Sequence, residues 1–100
     1  AGSLSLLAYL DGKVVGRIDS TAVCSHFDGS RKAYLDWICV IKSYRHAGVA
    51  QALMQTLRQE LKARGADTLV GVIAAYEEAQ RFYRSLPNAL IRDEGIWIDL

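Results

Sequence analysis

Cysteine is scarce: Cys24 and Cys39 are the only two in 100 residues. Two are too few for a disulfide framework, and their spacing is not that of a Cys-x-x-Cys site. Cys24-Ser25-His26 offers one thiol and one imidazole, short of the ligand count of a zinc centre, so no metal is expected. Free thiols fit a reducing, cytoplasmic setting. Cys39 stands inside an apolar run and is expected to act as a small buried hydrophobe. The longest apolar runs are about five residues, far below a membrane span. A net charge of +1 points to neither nucleic acid nor a membrane surface as a partner. Proline occurs once, as Pro87, and repeats, linkers and low-complexity segments are lacking. The chain opens on Ala1 rather than Met, and no signal segment is legible.

What remains is the composition of a soluble globular protein, 51% hydrophobic and 23% charged, expected to form one small domain over residues 1–100. Leu4 to Leu10 and Lys13 to Val23 read as strands around Asp11-Gly12, a strong two-residue hairpin signal. Gly16 inside the second strand marks a candidate bulge. After a polar connection from His26 to Lys32, Ala33 to Ile41 is a third strand. Val49, Ala50, Leu53, Leu57 and Leu61 recur at helical spacing, opposite a face of Gln51, Gln55, Arg58, Gln59 and Lys62. Gly65 is the C-cap signal. Thr68 to Ala74 is a short buried strand that a helical crossover places parallel to the third. Tyr76 to Leu86 is a second helix, with Glu77 and Glu78 at its positive end, one apolar face of Ala79, Phe82, Tyr83 and Leu86, and Pro87 ending it. Ala89 to Arg92 and Gly95 to Leu100 read as a terminal hairpin.

The chemistry centres on the stretch from Trp37 to Met54. The run Trp37-Ile38-Cys39-Val40-Ile41 reads as a buried strand. Lys42-Ser43-Tyr44-Arg45-His46 turns the chain, and Ala47-Gly48-Val49-Ala50 leads into the helix. Small residues between a strand and a helix leave backbone N–H groups free at the positive end of the helix dipole, and Gly48 lets a ligand approach the main chain. That arrangement suits a phosphate. The spacing is neither that of a P-loop nor that of a dinucleotide fingerprint.

It resembles instead the acyl-CoA motif of the GNAT (Gcn5-related) N-acetyltransferases, V-x-x-x-x-R-x-x-G-x-G/A, matched by Val40, Arg45, Gly48 and Ala50. Lys42 stands where the family often has proline, and His46 where it often has a second glycine. A second family landmark, N-x-x-A-x-x-F/L-Y-x-x-x-G-F, is matched at Ala79, Phe82 and Tyr83; Tyr76 replaces the asparagine and Pro87-Asn88 the Gly-Phe. The element order β-β-β-α-β-α-β-β is that of the family core from its second strand onward. The resemblance thus implies an α/β (α+β) fold with a mixed, mostly antiparallel sheet. It also implies an acyl-CoA site between splayed central parallel strands.

The activity that the resemblance implies is direct transfer of acetyl from acetyl-CoA to a primary amine. The cofactor-binding set becomes Ile38, Cys39 and Val40 on the strand, with Arg45, His46, Ala47, Gly48, Val49 and Ala50 in the loop and first turn. The resemblance makes Tyr83 the acid that protonates the leaving thiolate, a core tyrosine being the alternative. Asp36 is the candidate base, with Tyr34, Asp36, Ile38 and Val40 read as sharing one strand face. An ion pair of Asp36 with Arg17 or Arg31, or a water chain serving as base, stays open. The family's usual first strand and two helices have no counterpart here, so the domain reads as N-terminally short, with a second copy of the chain as a candidate partner. Small amines, aminoglycoside-like compounds, amino acids and protein amino groups all stay open as acceptors. The rival reading is a non-catalytic acyl-CoA-binding sensor or interaction module.

Overall fold

A computed structural model of the chain describes residues 2–24, 29–73, 77–91 and 96–100. Three antiparallel strands come first: β1 (Gly2–Leu10), β2 (Lys13–Cys24) and β3 (Arg31–Val40). Asp11 and Gly12 both take positive φ, 51° and 74°, which is the backbone a type I′ hairpin turn needs. Leu10 therefore faces Lys13 directly. Beyond β3 come a 3-10 turn over Lys42–Tyr44 and the helix α1 (Val49–Ala63). The strand β4 (Thr68–Gly71) and the helix α2 (Glu77–Arg84) follow. The sheet runs β1-β2-β3-β4, with β4 parallel to β3, as the crossover requires.

The core lies between one sheet face and α1. Val15, Ile18 and Ala33 from the strands meet Val49, Leu53, Met54, Leu57 and Leu61 from the helix, all buried. Val49, Leu53, Leu57 and Leu61 are helix residues that the near-fourfold spacing selects; Met54 joins them although the spacing does not single it out, and Ala50 is only half-buried. Gly65, at φ +88°, closes α1 in a Schellman motif: its N–H bonds the Lys62 carbonyl and the Ala66 N–H bonds that of Leu61. On α2, Ala79, Phe82, Tyr83 and Leu86 are half-buried, and the last three pack on the edge of this core. Arg58 Nη1 donates to the Pro87 carbonyl at 2.8 Å and ties the exit of α2 to α1.

Two bulges shape the sheet. Ala8 pairs with Gly16 but Tyr9 with Val14, so Val15 is an extra residue beside Gly16. A Cβ on Gly16 would stand 3.0 Å from Val49 Cγ1, 3.1 Å from Leu53 Cδ1 and 3.2 Å from the Cys39 carbonyl. Glycine therefore lets the start of α1 close onto the sheet. In the second bulge, Asp19 pairs with Trp37 and Ser20 with Leu35, leaving Asp36 as the extra residue.

Several expectations change. Trp37 is 58% exposed, and Cys39 and Ile41 are exposed too, because α1 covers only one face of the sheet. The run from Trp37 to Ile41 is thus a one-sided strand, and Cys39 is no core residue. The strand expected over Thr68 to Ala74 ends at Gly71, with Leu69 alone half-buried. Ala74, Tyr76 and the start of the second helix lie outside the described residues, as does His26. Of the expected terminal hairpin, the described residues 89–91 and 96–100 carry no strand, and Ile96, Trp97 and Ile98 are each at least 70% exposed. A two-stranded hairpin is marginal without a sheet to join, and the Asp93-Glu94-Gly95 turn falls outside the described residues.

Candidate acyl-CoA site

Between β3 and β4 the ladder is short. Lys32, Ala33, Tyr34 and Leu35 pair with Thr68, Leu69, Val70 and Gly71, and pairing stops there. β3 runs on to Val40. Among the described residues, its β4-side edge from Asp36 to Val40 therefore faces a gap rather than a strand. The Ile41 N–H bonds the Val15 carbonyl on β2 at 2.8 Å, and backbone groups alternate sides along a strand. Cys39 is thus turned to β2, while the N–H and C=O groups of Ile38 and Val40 are turned to the gap. Consistently, the Val40 carbonyl accepts a bond from Arg45 Nε at 3.2 Å. Of the three β3 residues expected at the site, Ile38 and Val40 present their backbone to it and Cys39 does not.

The gap leads to the start of α1. The first bond of the helical ladder runs from the Ala52 N–H to the Gly48 carbonyl at 3.0 Å. Among the described residues no side chain caps this end, and no acidic residue stands in the first turn. Among the described residues, the N–H groups of Val49, Ala50 and Gln51 make no backbone bond. They form an uncompensated positive end. Gly48 holds φ +81°, and a Cβ there would meet nothing within 4 Å. The main chain is therefore open to close approach. His46 also takes a left-handed conformation, φ +69°, at the position where the motif favours glycine; histidine tolerates that region better than most side chains. Arg45, His46 and Ala47 are exposed around this end. The single Arg45 bond engages Nε, the nitrogen that is not part of the terminal fork. Asn88 takes positive φ, 57°; it stands at the phenylalanine position of the second motif, one residue beyond the glycine position that Pro87 occupies, so the left-handed turn after α2 is displaced by one residue.

Residues 1–86 match the sequence profile of the acetyltransferase (GNAT) family. The chain belongs to the GNAT family. Comparison with curated protein sequences finds no match. Among solved structures, the aminoglycoside acetyltransferase meta-AAC0020 from an uncultured soil metagenomic sample, in complex with sisomicin, superposes with a TM-score of 0.88. The two are 20% identical over 99% of this chain and 66% of that one. AAC(6')-Iy, in complex with a bisubstrate analogue, CoA-S-monomethyl-acetylneamine, gives 0.86 at 20% identity, over 99% of this chain and 69% of that one. The ribosomal-protein-alanine N-acetyltransferase of Brucella melitensis biovar Abortus 2308 gives 0.81 at 24%, over 99% and 71%. Identities this low establish a common fold. The GNAT chain described here spans just under two thirds of the length of the soil enzyme.

The second bulge corrects the reading of Asp36. Partners facing each other in an antiparallel ladder point to the same side. Ile38 faces the buried Ile18, so it lies on the α1 side with Val40, which faces Gly16. Tyr34 faces Thr21 on the opposite side. The extra residue breaks the two-residue alternation, and the Asp36 carboxylate joins Thr21 there: Thr21 Oγ1 donates to Asp36 Oδ2 at 2.6 Å. Tyr34 and Asp36 therefore share the face away from α1, whereas Ile38 and Val40 share the helix face. Neither expected arginine meets Asp36. Arg17 pairs with Asp19 at 3.0 Å, and the Arg31 backbone N–H bonds Asp67.

Asp19 is the perturbed carboxylate of that face. The Ser5 hydroxyl above all, helped by the Arg17 guanidinium, holds its carboxyl below the usual aspartate range against the opposing effect of desolvation. Tyr83 packs on the core through α2, its ring edge-to-face with Phe82 at a centroid distance of 5.1 Å. Among the described residues, no group of three or more His, Cys, Asp or Glu is placed to hold a metal ion, and no helix is long and apolar enough to cross a membrane. Thr21 and the packing role of Gly16 are what sequence reasoning missed. A glycine in a strand next to an expected bulge was the available signal for the second; nothing local marks the first.

Proposed function

We propose that this chain carries an acetyltransferase domain over residues 1–100 that moves the acetyl group of acetyl-CoA to a primary amine. The observation that carries the proposal is the continuity of the β3 edge from Asp36 to Val40 with the start of α1 at Gly48, the edge unpaired and the helix start uncapped among the described residues. One edge suits an extended amide-bearing arm, which adds to a strand through main-chain bonds. The other end suits phosphates. In this reading Ile38 and Val40 hold the arm, and the amides of Gly48, Val49 and Ala50 hold the phosphates with Arg45. His46 and Ala47 border that cradle. The Cys39 side chain lies on the sheet face away from α1. Acetyl-CoA supplies the activated acyl group as a thioester.

The residues then divide the proton work. An alkyl ammonium of pKa about 10 has no lone pair for attack at neutral pH, and Asp36 takes its proton. The freed nitrogen forms the N–C bond, and the Val40 N–H stabilises the oxyanion. As the C–S bond breaks, the electron pair leaves on sulfur. Tyr83 gives the thiolate its proton, and the tyrosinate is restored by the second proton of the amine nitrogen. The products are the amide, the CoA thiol and one proton released from Asp36. The acceptor class follows from the neighbours, one bound to the aminoglycoside sisomicin and one named for ribosomal-protein alanine. A cytoplasmic setting fits Cys24 and Cys39, both free thiols. A second copy of the chain is the proposed partner: β1 is an edge strand with no charged residue, and such edges favour pairing.

Calorimetric titration with acetyl-CoA, and with ADP as a control, tests the cradle and the arm together. Acetyl-CoA should bind more tightly than ADP. Gly48→Trp fills the open space above the loop and should weaken acetyl-CoA binding by at least about tenfold, about 1.4 kcal/mol. Unchanged affinity in that variant would remove the phosphates from the loop.

A further inference from the structure

Asp36 owes its direction to two features that lie outside its own sequence neighbourhood. It is the extra residue of a bulge, at the point where β3 parts from β4: the last paired residue is Leu35, opposite Gly71. Its carboxylate is then held from the neighbouring strand by Thr21 Oγ1, at 2.6 Å. That is a short O–H···O⁻ bond of the charge-assisted kind. The other carboxylate along this row of β2, Asp19, is already engaged by Ser5 and Arg17. Asp36 is bonded by a neutral hydroxyl at one oxygen, which leaves a negative charge at the mouth of the gap with Oδ1 turned away from the bond.

From this geometry we infer that Thr21 is the positioning residue of the acetyl transfer: its hydroxyl fixes Asp36 Oδ2 so that Oδ1 is presented to the acceptor amine. The inference rests on the reading of Asp36 as the base. An aspartate has two side-chain torsions, and at an exposed bulge nothing else among the described residues restricts them. Anchoring one oxygen sets the direction of the other. A base must lie within hydrogen-bond reach of the proton it takes, and small misplacements of reacting groups cost large factors in rate. Thr21 touches neither the acyl group nor the phosphate cradle, so its loss acts on the amine side alone.

The test compares Thr21→Val, which keeps the shape and strand preference of threonine, with Thr21→Ser, which keeps only the hydroxyl. Turnover is measured with acetyl-CoA and four amines: sisomicin, an alanine-terminated peptide, lysine and a small aliphatic diamine. Thermal midpoints and acetyl-CoA affinity are measured alongside. Thr21→Val should keep the fold and the acetyl-CoA affinity and lose about tenfold or more in kcat, while Thr21→Ser should stay near the wild-type rate. A purely structural bond predicts the reverse order, because valine suits an exposed strand position better than serine. Equal rates for Thr21→Val and wild type, or equal losses in both variants, would overturn the inference. Thr21→Ala serves as a second hydroxyl-free variant should the valine chain fail to fold. Asp36→Asn separates the two layers. If it is inactive while Thr21→Val is fully active, only the positioning role falls. If it is fully active, or if the wild-type chain acetylates none of the four amines, the base reading falls and the positioning role with it.

Discussion

The two halves of the molecule are held together very differently. The first, from β1 through α1, supplies all eight buried hydrophobic residues among those described, Val15 to Leu61. The second, β4 with α2 and residues 85–91 and 96–100, supplies none; its apolar side chains are at best half-buried. The proposed phosphate cradle belongs to the first half, at the start of the helix that carries most of the core. The proposed acid, Tyr83, belongs to the second. In that reading the proposed cofactor site sits on the well-packed part of the fold, and the proposed proton donor on a part whose placement depends on a few contacts such as Arg58 with Pro87. Regions with few buried contacts open at lower free energy than the rest.

The sharpest way to break that contrast is to damage the packed half. Leu57 is fully buried at the centre of the cluster, and Leu57→Ala should cost about 2–5 kcal/mol, readable as a drop in the denaturant midpoint. Stability of a small domain is about 5–15 kcal/mol, so this single change removes a large share of it. Gly16→Val comes next. Its methyl groups would drive into Val49, Leu53 and the Cys39 carbonyl, at a cost of about 1–3 kcal/mol. Acetyl-CoA affinity should fall with it, because Val49 is the first residue of the cradle helix.

In the looser half the effect should move from stability to rate. Tyr83→Phe keeps the ring and its contact with Phe82, so the fold should be retained. Turnover should fall by about tenfold or more, general acid–base groups typically being worth 10²–10⁴. Equal rates would return Tyr83 to a packing role. The smallest effect is electrostatic and belongs to the first half. Asp19 has its carboxyl held low in the folded state by Ser5 and Arg17. Its contribution is therefore present above the ordinary aspartate range and is lost as pH falls through the folded value. Ser5→Ala should lower stability slightly at neutral pH, with the difference from wild type vanishing in acid, as seen by denaturant titration at both pH values.

The elements legible in the sequence are the ones whose cause is local. Asp11-Gly12 dictates a hairpin because both residues accept positive φ. Gly65 ends α1 for the same reason. The spacing of Val49, Leu53, Leu57 and Leu61 selects a helix face whatever that face meets. The family motif at Val40, Arg45, Gly48 and Ala50 is likewise a property of one loop. The terminal hairpin misled because alternating apolar residues such as Ile96 and Ile98 specify a strand only if a partner strand is within reach.

What tertiary structure alone decided concerns the sheet. An extra residue at Asp36 reverses the two-residue alternation between Tyr34 and Ile38, and a bulge is set by the register of β2 against β3 rather than by the sequence around Asp36. The same holds for the exposed side chain of Cys39, which depends on α1 covering one face only. It holds for the end of the β3–β4 ladder at Leu35 and Gly71 and for the bond from Thr21 to Asp36, fifteen residues away in the chain. Turns and helix faces answer to nearest neighbours along the chain. Register, coverage and strand separation answer to residues that only the folded sheet brings together.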